Sequence, residues 1–182
     1  MGISTLMMKR AVFLDRDGVL NHAVIKNGLP YSPLSIEELT IPSDAKAALH
    51  QLKSAGYLLI GATNQPDVAR GKTTQSLVEA MHTKLMQALP LDAIYACYHD
   101  DVDACSCRKP LPGLLFQAAG AFRIDLKQSF MIGDRWKDIE AGQRAGCRTI
   151  WMNLGHLEQG PKTAPDFMAT SLTEASAFIL RL

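Results

Sequence analysis

Two aspartates one residue apart, Asp15 and Asp17 in FLDRDG, follow directly on a short apolar segment. On an extended chain, side chains two residues apart point the same way. Gly18 permits the tight turn that comes next. Such a pair supports three readings. One carboxylate attacks while the other, protonated, serves as an acid, because neighbouring like charges drive their pKa values apart. Alternatively the pair holds a hard cation such as Mg2+, which favours carboxylate oxygens. The third reading is a strand-terminal Asp followed by an Asx turn, with no chemistry.

A second acidic pair, Asp134 and Asp138 in GDRWKD, is spaced by one helical turn and shares a face. It either completes a cation site with the first pair or caps a helix, with Asp138 gaining from the macrodipole. ATNQ puts Thr63 and Asn64 after another apolar run, where a hydroxyl and backbone N–H groups suit phosphate oxygens or form an ordinary turn. Lys109 offers a point charge for a phosphoryl oxygen and Arg108 a planar fork for a second anion, unless both are plain surface charges.

Three of the four cysteines lie in one loop with a histidine: Cys97, His99, Cys105 and Cys107. Three thiolates and an imidazole close a tetrahedral zinc shell with no open position, which marks a structural rather than a catalytic site. Zinc would fold a loop too polar to build its own core; the alternative is free thiols near the surface. Cys147, alone after a helix stop, reads as a small buried hydrophobe. His22, His50, His82 and His156 show no paired ligand spacing, and His50 and His82 fall on solvated or half-buried helix faces.

The elements that must position these groups alternate regularly. Strands are expected in RAVFLD, YLLIGATN, DAIYACYH, SFMIGD and RTIWMN. Helices are expected from Ser43 or Asp44 to about Ala55, with Gly56 as the stop, and from about Thr73 to Ala88, with Leu77, Met81, Leu85 and Met86 on one face. Others begin near Pro112, run through KDIEAGQRAG to Gly146, and span about Leu172 to Leu182. Residues 18–43 read as irregular. This alternation means a parallel sheet with helices on both faces, and ligands in such sheets bind beyond the carboxyl ends of the strands. Asp15, Thr63, the cysteine loop and Asp134 each follow a different strand, so all four polar clusters converge on one edge.

The chain has 182 residues, 47% hydrophobic and 20% charged, with a net charge of +1. That length suits one domain over residues 1–182, with a core at about 10–155 and a C-terminal strand and helix running to 182. The near-zero charge excludes a protein that tracks nucleic-acid phosphates, and no apolar run is long enough to span a membrane. Met7 or Met8 offers an alternative start. With no export signal the expected compartment is the cytoplasm, where clustered cysteines are metal ligands before they are disulfides. Nothing signals oligomerisation, so a monomer is expected.

FLDRDGVLN, ATNQ, CRKP and GDRWKD, in this order over about residues 10 to 155, resemble the haloacid dehalogenase (HAD) superfamily of phosphohydrolases. The cysteine loop narrows the resemblance to the group holding the heptose bisphosphate phosphatases and the histidinol-phosphate phosphatases. The resemblance implies a Rossmann-like three-layer α/β sandwich with a mainly parallel sheet, a zinc-bound loop and no folded cap domain. It implies Asp15 as the nucleophile that forms an aspartyl-phosphate and Asp17 as the acid and then the base. Mg2+ would be held by Asp15, Asp134 and the Asp17 carbonyl, with Asp138 behind them. Thr63 and Lys109 would steady the phosphoryl group, and Asn64, Gln65, Arg108 and Arg135 would meet the substrate. The implied substrate is a small sugar phosphate, D-glycero-D-manno-heptose 1,7-bisphosphate, hydrolysed at its 7-phosphate. Histidinol phosphate is the alternative, ahead of a nucleic-acid 3′-phosphate or an inactive zinc-stabilised binding module. NHAVIKNGLPYSP departs from the Asp-His-Gly-Tyr stretch common in the heptose enzymes, and Pro66 stands where a Ser is common.

Overall fold

In the computed structural model, residues 8–157 and 159–182 are described; the alternative start at Met7 and the tail ahead of it lie outside the described residues. Six strands form one sheet in which every neighbouring pair is parallel. They are β1 (Ala11–Leu14), β4 (Leu58–Asn64), β5 (Ala93–Cys97), β6 (Phe130–Gly133), β7 (Arg148–Met152) and β8 (Phe167–Ala169), in the spatial order β5-β4-β1-β6-β7-β8. The chain first builds outward from β1 through β4 to β5. It then crosses back and builds the other way from β6. The crevice between β1 and β6 is therefore the topological switch point, where ligands bind in open α/β sheets.

β1 is the central strand, and its sequence shows it. All four residues of AVFL are fully buried, as a strand covered on both faces requires. Val12 and Leu14 pack with Leu49 and Leu52 of α1 (Ala45–Ser54), Met81 and Leu85 of α2 (Gln75–Ala88) and Ile179 of α5 (Leu172–Leu180). Ala11 and Phe13 pack on the other face with Leu114, Leu115 and Ala118 of α3 (Gly113–Phe122). On that face α4 (Trp136–Ala145) lies so close that a Cβ on Gly142 would come within 2.7 Å of Met131 Cβ. Three layers result, as expected.

Three details correct the sequence reading, and the strand expected after residue 155 is found as β8. Residues 18–43 contain a hairpin, β2 (Val24–Lys26) and β3 (Leu29–Tyr31), joined at Asn27–Gly28 with φ of 53° and 76°. Positive φ at both central residues is the mirror-image turn that fits strand twist, and Asn-Gly is its best sequence. A sixth strand, β8, adds an edge beyond β7. On α2 the buried residues are Val78, Met81, His82 and Leu85, while Met86 is exposed. The inward face is thus turned by one residue, and His82 is buried rather than solvated. Asp44 stands at the head of α1 but caps nothing there. Its carboxylate accepts from Thr173 N–H and Oγ1, tying α5 to the start of α1.

Candidate active site

Asp15 sits one residue past β1, and its N–H donates to Ile132 O on β6 at 2.9 Å, which fixes it in the crevice. Asp134 follows β6 directly and Asp138 lies in the first turn of α4. Two glycines allow the crowding. Gly18, at φ 90°, passes so near Asp134 that a Cβ would meet its Oδ2 at 2.2 Å. A Cβ on Gly133 would lie 2.1 Å from Asp138 Cβ. Asp138 Oδ2 accepts from Arg135 N–H at 3.0 Å, so this side chain also caps its own helix.

The floor of the site is Lys109, whose side chain is fully buried. Its Nζ donates to Asp15 Oδ1 at 2.8 Å, Asp138 Oδ1 at 2.5 Å and Ala62 O at 2.6 Å. Three acceptors saturate the three N–H groups of an ammonium. Burial works against the charge, but Asp138 and Asp15 outweigh it and hold the Lys109 pKa above its ordinary value. Asn64 supplies the grip on the backbone: its Nδ2 donates to Lys109 O at 2.9 Å and its Oδ1 accepts from Lys109 N–H at 3.0 Å. The clasp uses one of its two N–H groups and one of its two lone pairs, and Asn64 also lines the cavity.

Asp15, Asp134 and Asp138 bring carboxylate oxygens within 4.8 Å of one another. Burial and the neighbouring Asp15 push Asp138 up to about 7. Asp134 is likewise raised, by burial first. Neither carboxylate oxygen of Asp134 has a hydrogen bond among the described residues. Three carboxylates against one ammonium leave the site short of positive charge. An all-oxygen donor set with that deficit fits a hard divalent cation such as Mg2+.

Asp17 faces the same cavity but stands in a different environment. Arg16 Nε and Nη2 each donate to it at 3.0 Å, one to each oxygen. Asn21 Nδ2, Gln65 Nε2 and Ser32 Oγ donate at 2.9, 2.9 and 2.7 Å. Burial alone would raise this carboxyl; the Arg16 charge and the bonds from Asn21, Ser32 and Gln65 outweigh it and hold the pKa below the usual range. Gln65 Nε2 also donates to Thr63 Oγ1 at 2.9 Å, so the end of β4 orients Asp17. Arg16, Asn21 and Ser32 were not singled out in the sequence. The Asn-Gly turn is the signal for Ser32, because the hairpin it closes carries Ser32 back over Asp17.

Cys97, His99, Cys105 and Cys107 converge as expected. Sulfur–sulfur separations are 3.1, 3.5 and 3.6 Å, and His99 Nδ1 lies 3.5 and 3.4 Å from Cys97 and Cys107. Bonds of about 2.3 Å around a tetrahedral zinc give edges of about 3.7 Å, so the four groups fit that ion with Nδ1 as the ring donor. The loop also holds cations. Arg108 Nε donates to Asp101 Oδ1 at 2.7 Å and its Nη1 to His99 O at 3.2 Å, while Arg70 forks onto Asp100 at 2.7 and 2.6 Å. Arg70, Lys72, Arg108, Arg135 and Lys137 all line the cavity above Lys109. Arg135 Nη2 donates to Pro30 O at 2.5 Å, linking the head of α4 to the hairpin. His22 is exposed, and its carbonyl accepts from Asn21 Nδ2 at 2.9 Å.

His82 backs this arrangement. Arg16 is wholly buried, and its Nη1 lies 3.5 Å from His82 Nε2. Burial and then the Arg16 charge bring the His82 pKa down to about 4, against a weaker pull from Asp17. The unfolded chain takes up this proton near pH 6.5 and the folded chain only near 4, so stability falls as pH drops through that window. The loss is on the order of 2–3 kcal/mol. Asp138, raised to about 7, contributes with the opposite sign over the same range, so the readout is the difference between proteins. In denaturant unfolding at pH 7, 6, 5 and 4.5 the wild type should lose about 2–3 kcal/mol more than His82→Gln, which keeps an acceptor for Arg16. An unchanged slope in the variant would refute the assignment.

Comparison with known proteins agrees with this arrangement. The HAD-hydrolase-like family model matches residues 106–175. D-glycero-beta-D-manno-heptose-1,7-bisphosphate 7-phosphatase of Pasteurella multocida is 39% identical over 86% of this chain and 90% of its own. The protein of that name from Haemophilus ducreyi is 39% identical over 95% of this chain and 100% of its own. The crystal structure of D,D-heptose 1,7-bisphosphate phosphatase from B. bronchiseptica, complexed with magnesium and phosphate, superposes with a TM-score of 0.81 at 29% identity, covering 94% of this chain and 98% of that one. With relatives of this similarity along nearly its whole length, the chain belongs to the HAD-like hydrolases, in the family of D-glycero-beta-D-manno-heptose-1,7-bisphosphate 7-phosphatases.

Proposed function

We propose that this protein is a Mg2+-dependent phosphatase that removes the 7-phosphate of D-glycero-D-manno-heptose 1,7-bisphosphate. The observation that carries the reading is the buried Lys109 ammonium between Asp15 and Asp138, under a cavity rimmed by further cations. Asp15 Oδ1 is anchored on Lys109, so Oδ2 is the oxygen offered to phosphorus. As that bond forms, the bond from phosphorus to the sugar oxygen breaks, and Asp17 gives its proton to the departing alkoxide. Water then attacks the aspartyl-phosphate, Asp17 takes the proton back, and phosphate leaves.

At rest Asp17 is ionised in the grip of Arg16. A phosphoryl dianion entering beside it raises its proton affinity, which couples acid protonation to substrate arrival. Thr63 would steady an equatorial oxygen through its hydroxyl, and Lys109, whose three N–H groups are already engaged, would act on the group through its charge. Gln65 aims Asp17 and Asn64 aims Lys109, so both act on the substrate through those residues. Asp15, Asp134 and the Asp17 carbonyl, with Asp138 behind, would hold Mg2+, which when bound would supply charge neutralisation on the transferring group. Zn2+ is structural and fixes the path into Arg108 and Lys109. Four cysteines with no disulfide among them suit a reducing compartment, the cytoplasm, and the chain is read as acting as a monomer.

The rim decides between substrates. A bisphosphate brings a second anion to Arg70, Lys72, Arg108 and Lys137, whereas histidinol phosphate would bring a cationic amine to the same place. Turnover across a panel of phosphate esters should show kcat/KM for the heptose bisphosphate at least a hundredfold above that for histidinol phosphate; comparable values would overturn the specificity. Asp15→Asn should lower kcat by about three orders of magnitude or more, with melting temperature and zinc content unchanged. Survival of activity in that variant would overturn the mechanism.

Zinc removal gives a separate check. A Cys105→Ser, Cys107→Ser protein should lose the ion, and with it the alignment of Arg108 and Lys109. The KM for the bisphosphate should rise more than tenfold. A zinc-free protein with wild-type KM would show that the loop does not position those cations.

A further inference from the structure

Beyond β7 the chain runs from Asn153 into a short hook whose ends are both pinned. Asn153 N–H donates to Ala169 O at 2.8 Å, and Leu157 N–H donates to Gly28 O, in the hairpin turn, at 3.1 Å. Gly155, at φ 74°, makes the bend. Between these anchors His156 points inward: its side chain is 13% exposed, and its Nε2 lies 3.3 Å from Oδ2 of the fully covered Asp134 side chain.

Asp134 has an unmet need at that point. Its two carboxylate oxygens and His156 Nε2 are all buried without a hydrogen bond among the described residues, so the 3.3 Å contact between Nε2 and Oδ2 is one of charge and proximity. A carboxylate that binds a metal needs one oxygen turned to the ion and the other held still. Groups that do the holding behind a metal ligand change metal affinity by about 10–100-fold. His156 is not itself a ligand in this arrangement, since the mutually close ligand atoms are those of Asp15, Asp134 and Asp138.

We infer that His156 is the positioning residue for Asp134: its Nε2, 3.3 Å from Oδ2 and itself without another partner among the described residues, closes on that oxygen so that Oδ1 is presented to the cation. The inference rests on the reading that Asp134 binds Mg2+. It also gives the hook after β7 a task, because the same few residues brace the metal carboxylate and, through Leu157, the hairpin that carries Ser32 to Asp17.

The test is Mg2+ binding to the zinc-containing protein, measured by titration calorimetry. His156→Ala should weaken Mg2+ binding tenfold or more, while zinc content and melting temperature stay at wild-type values. His156→Gln, which keeps an N–H donor at similar reach, should recover most of the loss. With Mg2+ saturating, kcat of the alanine variant should return to within about twofold of wild type. Wild-type Mg2+ affinity in His156→Ala would overturn the inference, and so would a glutamine variant as weak as the alanine one. Asp134→Asn separates the two levels: if it binds Mg2+ as the parent does, the metal reading itself is wrong.

Discussion

Everything at this site depends on where one ammonium is allowed to sit. Lys109 Nζ is buried, and it makes its three hydrogen bonds to the nucleophile candidate, to the first turn of α4 and to the backbone of β4. An unpaired ammonium in that position would be unaffordable, and three unpaired carboxylates around it no less so. Each group is tolerated because the others are present. The β4–β1–β6 centre of the sheet supplies the rigid frame on which this balance is struck, and the loop after β5 delivers the lysine from outside it.

Around that ammonium the molecule keeps two carboxylates in opposite conditions. Asp15 shares its cation with Asp138 and stands beside Asp134, in a cluster that carries excess negative charge. Asp17 has its own guanidinium and three further hydrogen-bond donors besides, so its charge is met locally. One acid residue is thereby left to a metal and the other to proton traffic. The difference comes from neighbours, since the residue type is the same.

Much of this was legible in the sequence because it lies at strand ends. Asp15, Thr63, Cys97 and Asp134 each terminate or follow an apolar run, and a parallel sheet brings such positions to one edge whatever the details of packing. The loop ligands were legible because their spacing is local. The missed residues fall where position is set by tertiary contact. Arg16 reads as an exposed charge until α2 buries it against His82. Helical spacing alone placed the inward face of α2 one residue off, exposing Met86 and burying His82, because the supporting sheet chooses the face. Ser32 needed the hairpin, whose Asn-Gly turn was visible but was read as irregular chain. His156 left no local trace: only the return of the chain after β7 brings it to Asp134.

The contact between Leu157 and Gly28 joins segments from opposite ends of the chain, both outside the six-stranded sheet. A pairing of such large sequence separation closes a long loop and gains little apolar burial in return, so it forms late in folding and opens early in native-state fluctuations. The sheet and its helices can thus be assembled before the hairpin and the hook meet. The part of the molecule that orders last is then the hairpin that carries Ser32 to Asp17, so the final contacts to that carboxylate are made only after the sheet that holds it is built.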